Sequence, residues 1–348
     1  MRVGIVAAAG PGVERLAVRA EELGFDSFWV YDSPMVHGDP FVSLALCARS
    51  TRRIRLGIGV TSPALRSAPA AAAAIGSLNA LAPGRIVCGV GTGNTARRTL
   101  GMGPARVAEL ESFTAALQDL TAGREALYRE GTRSSRVRFL HEGRYVNTAD
   151  PVEFVVAAFG PKVAAVAGRL GAGLISFALH DPEAWSALGR TRRAAAREAG
   201  SAGTVRSYLM SCVHVLADGE DRYGDRVQDS VGHIALSALI LGAENPAFRA
   251  ALPAQEAAAV GRLLELRGTT PADPRFHQAL YRNYLGRLSP EDRELIVPSL
   301  VDRFGLVGTR GEVTERISVL EKAGVDELVL QPVVDPETEM AELARLLA

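Results

Sequence analysis

The sequence predicts a (β/α)8 TIM barrel carrying a long helical insertion between its seventh and eighth strands. Three observations predict it. Eight short Val/Ile-rich runs alternate with longer Ala/Leu/Arg/Glu segments of helical period. Most of those runs are continuously apolar, as expected for parallel strands covered by helices. Two passages near opposite ends of the chain, "AVRAEELGFDSFWVYD" and "RISVLEKAGVDELVLQP", share one plan. In each, an amphipathic helix stops at Gly24 or Gly324 and a strand begins two residues later. A doubly wound sheet is the competing arrangement, and the strand count favours the barrel.

In chain order the strands are expected over Val3–Ala9, Asp26–Tyr31, Ile54–Val60, Arg85–Val90, Glu153–Ala158, Ala172–Phe177, Tyr208–Leu216 and Glu327–Pro332. Helices are expected over Gly12–Leu23, Pro40–Ser50, Pro69–Leu81, Ala105–Thr121, Lys162–Leu170, Pro182–Ala199 and Gly311–Ala323. Two segments break the rhythm. Gly123–Pro151 is rich in Arg and Gly, and its "HEGRYVNTADP" reads as a hairpin-like excursion. Ala217–Pro298 is the long, mostly helical insertion, placed where barrels build lids and substrate pockets. The whole of 1–348 reads as one domain.

Composition narrows the function classes. Lys plus Arg equals Asp plus Glu at 39 each, so nothing points to nucleic acid or an anionic membrane. Cys47, Cys88 and Cys212 are scattered in apolar surroundings, the pattern of buried free thiols in a reducing compartment. The opening "MRVGIVAAAG" is too short to span a bilayer and reads as a first strand, so the expected location is cytoplasmic.

The stretch "RIVCGVGTGNTARRTLG" (85–101) asks whether a dinucleotide loop is present. A Rossmann fingerprint needs G-x-G-x-x-G after the first strand, with an acidic residue ending the second. Here the spacing is G-x-G-x-G-N after the fourth strand, so that reading fails. A strand end turning sharply beside a ligand in the barrel mouth survives.

Five segments together carry a resemblance: "AEELGFDSFWVYDSPMVHGDP" (20–40), "TRRIRLGIGVTSPALRSAP" (51–69), "LAPGRIVCGVGTGNTARRTLG" (81–101), "VVAAFGPKVAAVAGRLGAGLIS" (155–176) and "FGLVGTRGEVTERISVLEKAGVDELVLQP" (304–332). They resemble the luciferase-like monooxygenase superfamily, and within it the branch related to methylenetetrahydromethanopterin reductase, which uses the deazaflavin coenzyme F420. The resemblance covers roughly 1–200 and 295–348.

It implies a cofactor site. A non-proline cis peptide at Gly59–Val60, followed by Thr61, would form a bulge behind the cofactor's central ring. Gly160 and Pro161 open a helix whose free N–H groups favour an anion, and Lys162 adds a positive charge; in the family this place holds the cofactor phosphate. Gly173 to Ser176 would lie beside it. Gly91, Thr92, Gly93 and Asn94 would pack near the ribityl chain, with Asn94 toward the redox face. Relatives usually carry Asp where Asn94 stands, and an amide cannot act as an acid or base. Asp32 ends the second strand, where an acidic residue lies close to the deazaflavin in relatives; Ser33 stands where His often follows, with His37 nearby. Asp32 and Asn94 are the candidate catalytic residues.

The remaining polar residues have plainer expectations. His141 and His277 read as surface, His214 as a satisfied core histidine, and His233 as core-facing or pocket-lining. His180 follows the sixth strand and is within reach of the mouth. Arg66, Arg97 and Arg98 read as solvated loop charges or contacts to an anionic tail. No spacing suits a metal, and no Cys–His or GxSxG arrangement suggests covalent catalysis.

The leading expectation is an F420-dependent oxidoreductase moving hydride between the deazaflavin C5 and a small organic substrate, in a homodimer. An FMN-dependent monooxygenase using O2 is the alternative, and a redox-inactive cofactor-binding barrel the third.

Overall fold

The computed structural model describes residues 1–348 apart from 142, 202 and 348. The strands are β1 (Arg2–Ala7), β2 (Ser27–Val30), β3 (Arg55–Thr61), β4 (Ile86–Val90), β5 (Ala126–Glu130), β6 (Arg133–Val137), β7 (Glu153–Ala157), β8 (Gly173–Phe177), β9 (Ser207–Ser211), β10 (Val213–Val215), β11 (Leu306–Gly308) and β12 (Glu327–Leu330). Eight of them, all paired in parallel, close in the order β1-β12-β9-β8-β7-β4-β3-β2. This is the (β/α)8 barrel, and closure excludes the doubly wound sheet.

Strand alternation divides the apolar residues between two cores. Val6, Trp29, Tyr31, Val87, Val155, Ile175, Tyr208, Met210 and Val329 fill the lumen. Phe28, Val30, Leu56, Ile58, Leu174 and Leu328 pack with the surrounding helices. Trp29 and Tyr208 meet edge-on with centroids 5.1 Å apart. The indole fits because residue 57 is glycine, whose Cβ would stand 2.1 Å from Trp29 Cδ2.

The N-terminal end of the barrel is closed by polar groups. Arg55 Nη1 donates to the Tyr208 hydroxyl at 2.7 Å, that hydroxyl donates to Glu153 at 2.8 Å, and Arg55 pairs with Glu153. Ser27 bridges Trp29 and Glu327, accepting from the indole N–H at 2.7 Å and donating to the carboxyl.

Two expectations need correction. The excursion before β7 does contain a hairpin, but it is β5–β6, paired antiparallel from Ala126↔Val137 to Glu130↔Arg133. Residues 141–151 make turns instead, with Glu142 outside the described residues. The expected strand Tyr208–Leu216 is also two strands. β9 stays in the barrel, whereas β10 leaves it to pair with β11 on the far side of the insertion. The apolar run continues through the break at Cys212, so hydrophobicity alone could not mark it.

The insertion folds as helices Asp225–Glu244, Pro246–Ala250, Ala254–Arg267, Phe276–Leu280 and Pro290–Arg293, leading into Pro298–Phe304. They enclose a hydrophobic cluster of their own, built on Val231, Leu239, Leu263 and Leu300. Among the described residues, no helix is long and apolar enough to cross a membrane.

Candidate active site at the barrel mouth

The C-terminal ends of the barrel strands form a floor. Most lumen residues are fully buried, but Val60, Ala157 and Phe177, at the tops of β3, β7 and β8, are only partly so. The mouth is therefore open over one half. Beyond β7 the chain continues through Phe159, 66% exposed.

Small residues shape this floor. The Gly59–Val60 peptide is cis, and the β3–β4 register shifts between Ile58 and Thr61. Val60 leans over β4. A Cβ at Gly89 would come 2.6 Å from Val60 Cγ1, and one at Gly91 would come 2.9 Å from Val60 Cγ2 and 3.2 Å from the Ala157 Cβ. The first two glycines of "GVGTGN" thus answer to a close approach by the protein's own Val60. Gly93 answers to its backbone, with φ 76° as it opens the helix Asn94–Arg98. Thr92 is half-buried beside them, its carbonyl accepting from the Ala105 N–H at 2.9 Å.

Asp32 is 3% exposed, and Arg66 Nη1 donates to it at 2.7 Å. The same guanidinium pairs with Asp39, which caps the helix Pro40–Ser50, and lies 4.5 Å above the Phe41 ring. Burial pushes the Asp32 carboxyl above its ordinary range, and Arg66 opposes the shift. Arg66 is accordingly an ion-pair partner in the fold and not a solvated loop charge. The Thr61 hydroxyl, fully buried, is a hydrogen-bonding neighbour of the Asp32 carboxyl and opposes the shift as well.

The helix Pro161–Arg169 begins at Gly160 with Pro161 in its first turn. Lys162 is exposed and forms no ion pair among the described residues. Gly173 does not lie beside this helix start. It begins β8, at the opposite end of the barrel from the mouth, where a Cβ would meet the Arg206 carbonyl oxygen at 2.0 Å. Strand packing, not a ligand, explains that glycine. Ser176 is nearer the mouth and buried, its hydroxyl without a hydrogen-bond partner among the described residues.

The insertion covers the other half of the mouth. Tyr284 Oη lies 3.2 Å from Thr95 Oγ1 beyond β4, and the Leu285 carbonyl accepts from Gln331 Nε2 at 3.5 Å beyond β12. Asn94 is exposed, and its amide oxygen accepts from Arg98 Nε at 2.7 Å. Arg98 pairs with Glu244 at 3.1 Å, which also accepts from the Tyr281 hydroxyl at 2.8 Å. Asn94 is thereby tied through Arg98 to the insertion. Arg97 donates to the Gly103 carbonyl and closes its own loop.

The histidines sort differently from expectation in two cases. His214 is satisfied by Ser230 at 2.8 Å and Glu220 at 3.1 Å, and His141 is exposed. His277 is half-buried, packed against Gly101. His180 reaches Ser211 Oγ at 2.7 Å and the Arg303 carbonyl at 3.2 Å, and burial pushes it down to about 4. His37 stacks on Tyr31 with centroids 5.8 Å apart. A Cys–His pair does exist: Cys212 Sγ and His233 Nε2 are 3.3 Å apart. Burial pushes the thiol up and the imidazole down to about 4, so both stay neutral and the pair is no activated nucleophile. Sequence spacing could not reveal it, because one partner follows β9 and the other lies on an insertion helix.

A family model described as luciferase-like monooxygenase matches residues 6–327. A 5,10-methylenetetrahydromethanopterin reductase of Methanolobus tindarius is 26% identical over 94% of this chain and 92% of its own. An F420-dependent glucose-6-phosphate dehydrogenase of Intrasporangium calvum is 38% identical over 45% of this chain, a match spanning only 51% of that relative's length. Among solved structures, an F420-dependent secondary alcohol dehydrogenase in complex with an F420-acetone adduct superposes over 99% of this chain with TM-score 0.69 at 17% identity, a likeness of fold. With the model spanning nearly the whole barrel, the chain belongs to the luciferase-like monooxygenase family.

Proposed function

We propose that the protein is an F420-dependent oxidoreductase that transfers hydride between the deazaflavin C5 and a small organic substrate. The observation that carries this reading is the half-open floor of Val60, Ala157 and Phe177, next to the helix that starts at Pro161. An apolar floor of this kind suits a planar ring system. The helix start, with the exposed Lys162, suits its phosphate. The F420 dependence of the glucose-6-phosphate dehydrogenase relative supports the deazaflavin in particular.

When bound, the cofactor supplies the hydride chemistry. This chain's residues would hold and seclude it. Val60, raised by its bulge over Gly89 and Gly91, would support the ring from behind. Lys162 and the first-turn N–H groups would hold the phosphate. The insertion, joined to the mouth through Thr95–Tyr284 and Gln331–Leu285, would exclude water. Asp32, already engaged by Arg66, would shape the rim and leave proton transfer to other groups.

A second reading is an FMN monooxygenase, favoured by the description of the matching family. Fluorescence titrations with F420 and with FMN separate the two. Micromolar F420 binding with no FMN binding supports the first reading. The reverse preference overturns it and makes oxygen uptake the next assay.

A further inference from the structure

β10 and β11 form a parallel pair of their own outside the barrel, so each has one edge that the other does not serve. The Cys212 carbonyl accepts from the Leu306 N–H at 3.0 Å, and the Leu216 N–H donates to the Gly308 carbonyl at 2.9 Å. Residues 212, 214 and 216 therefore face β11, and the N–H and C=O groups of Val213 and Val215 point the other way. None of those groups has a hydrogen-bond partner among the described residues. The outer edge of β11 is treated differently, its Val307 carbonyl accepting from Arg222 Nη2 at 3.0 Å. An uncovered edge is a template for another strand, and proteins ordinarily cover it.

In front of the free edge lies a cavity of about 390 Å³, lined by β10, the end of β12 and the helix Pro336–Leu347. It is separate from the mouth, and neither Val60, Ala157 nor Phe177 lines it. Val213, Leu330, Leu343 and Leu346 give it an apolar wall. Charge collects at one end. Arg310 stands two residues past Gly308, the partner of Val215, and its Nη2 donates to the Leu346 carbonyl at 3.0 Å, beside Arg345. Arg226 reaches the same cavity from the first turn of the helix Asp225–Glu244. All three guanidiniums belong to exposed residues.

The carboxylates nearby are mostly committed. Glu220, 3.7 Å from Arg226, accepts from the Ala217 N–H at 2.8 Å and lies 3.1 Å from His214 Nε2. Glu339 accepts from the N–H groups of Val333, Val334 and Asp335. Glu342 is the lining carboxylate left to oppose the arginines among the described residues, so this end of the cavity carries excess positive charge.

The two observations select one kind of occupant. Donors and acceptors that recur at every second residue are met by the backbone of an extended peptide, whose own groups repeat at the same spacing of about 7 Å. The arginine end calls for carboxylates. We propose that the free edge of β10 receives an extended segment of a partner protein, with apolar residues against Val213 and Leu330 and acidic residues at Arg226, Arg310 and Arg345. This docking site is independent of the cofactor reading.

The probes are two fluorescein-labelled hexapeptides, Val-Thr-Val-Thr-Asp-Asp and its reverse, Asp-Asp-Thr-Val-Thr-Val, one for each strand direction. In fluorescence polarisation one of them should bind with a Kd on the order of 10–100 μM. Replacing its Asp residues by Lys, or N-methylating its backbone, should weaken binding by about tenfold or more. In hydrogen exchange followed by NMR, the Val213 and Val215 amides should exchange fast in the protein alone and slow when the peptide is added. Val215→Pro removes an N–H that faces the cavity and no bond to β11, and should cost about tenfold in affinity. Arg345→Glu, at an exposed residue, should do the same, so a proline variant that fails to fold leaves the test decisive. Equal binding of the Asp and Lys peptides, binding undiminished by N-methylation, or no binding of either direction at about 1 mM overturns the proposal. So does a homodimer in sedimentation that Val215→Pro dissolves, because a second copy would then hold the edge.

Discussion

Glu327 opens β12 at the closed end of the barrel with no exposed surface, one oxygen held by Ser27 and the other without a partner among the described residues. Burial raises its carboxyl from the ordinary 4.5 to about 7, against the Ser27 hydrogen bond and the charge of Arg55. Below about pH 4.5 the group is neutral in both folded and unfolded chains and contributes no pH dependence. As the pH rises the unfolded chain ionises first, so the folded protein binds the extra proton and stability falls. Above about 7 both states are ionised and the full penalty, about 3 kcal/mol, is in place. Glu327→Gln keeps the shape and an acceptor for Ser27 while removing the charge. With an unfolding entropy of about 2 cal/mol/K per residue, that change should raise the melting temperature by about 4 °C at pH 8. At pH 5 most of the advantage should vanish. Melting followed by circular dichroism on both proteins, from pH 5 to 8.5, reads the difference directly. A gap of the same size at both ends would mean that the carboxyl is not the titrating element, and the argument would fail.

Lys162→Ala should weaken F420 binding by about tenfold with unchanged stability, since an exposed charge-assisted contact is worth about 1.5 kcal/mol; unaltered affinity in a fluorescence titration removes Lys162 from the phosphate site. Gly173→Ala should behave in the opposite way. Its Cβ collides with the Arg206 carbonyl, so denaturant melts should show a loss of about 1–3 kcal/mol. F420 affinity of the folded fraction should hold. Arg66→Met strands the buried Asp32 carboxylate and should cost about 3–5 kcal/mol. Adding Asp32→Asn should recover most of that loss in urea unfolding, and a double variant no better than the single one would sink the ion-pair account.

The barrel was legible because its signals are local. A parallel strand buried on both faces is a continuous apolar run, and a helix with a glycine stop is a short-range pattern, so seven barrel strands and their helices fall close to expectation. The β9–β10 break was not legible. "YLMSCVHVL" is mostly apolar on both sides of the break, and what divides it is pairing with β11, about ninety residues downstream. The β5–β6 hairpin failed for the reverse reason: Arg133–Val137 is polar and mostly exposed, without the alternation that marks a half-buried strand.

The site divides along the same physical line. Resemblance placed the cis bond at Gly59–Val60, and the bond stands there. Reading glycines as ligand contacts was less secure, because a glycine records that something approaches closely and not what approaches. At Gly89 and Gly91 the visitor is Val60, and at Gly173 it is a carbonyl of the next strand. The residues that define the covered half of the mouth carried no motif at all. Tyr31 and Gln331 are merely the polar ends of the runs "FWVY" and "LVLQ", and His233 is one histidine in an apolar helix. Only folding brings Cys212, His233 and Gln331 to one place, where they hydrogen-bond with one another. In a barrel that would delegate its chemistry to a cofactor, as proposed above, the insertion is where this chain's own selectivity would reside, because the floor beneath is built of groups that discriminate little among substrates.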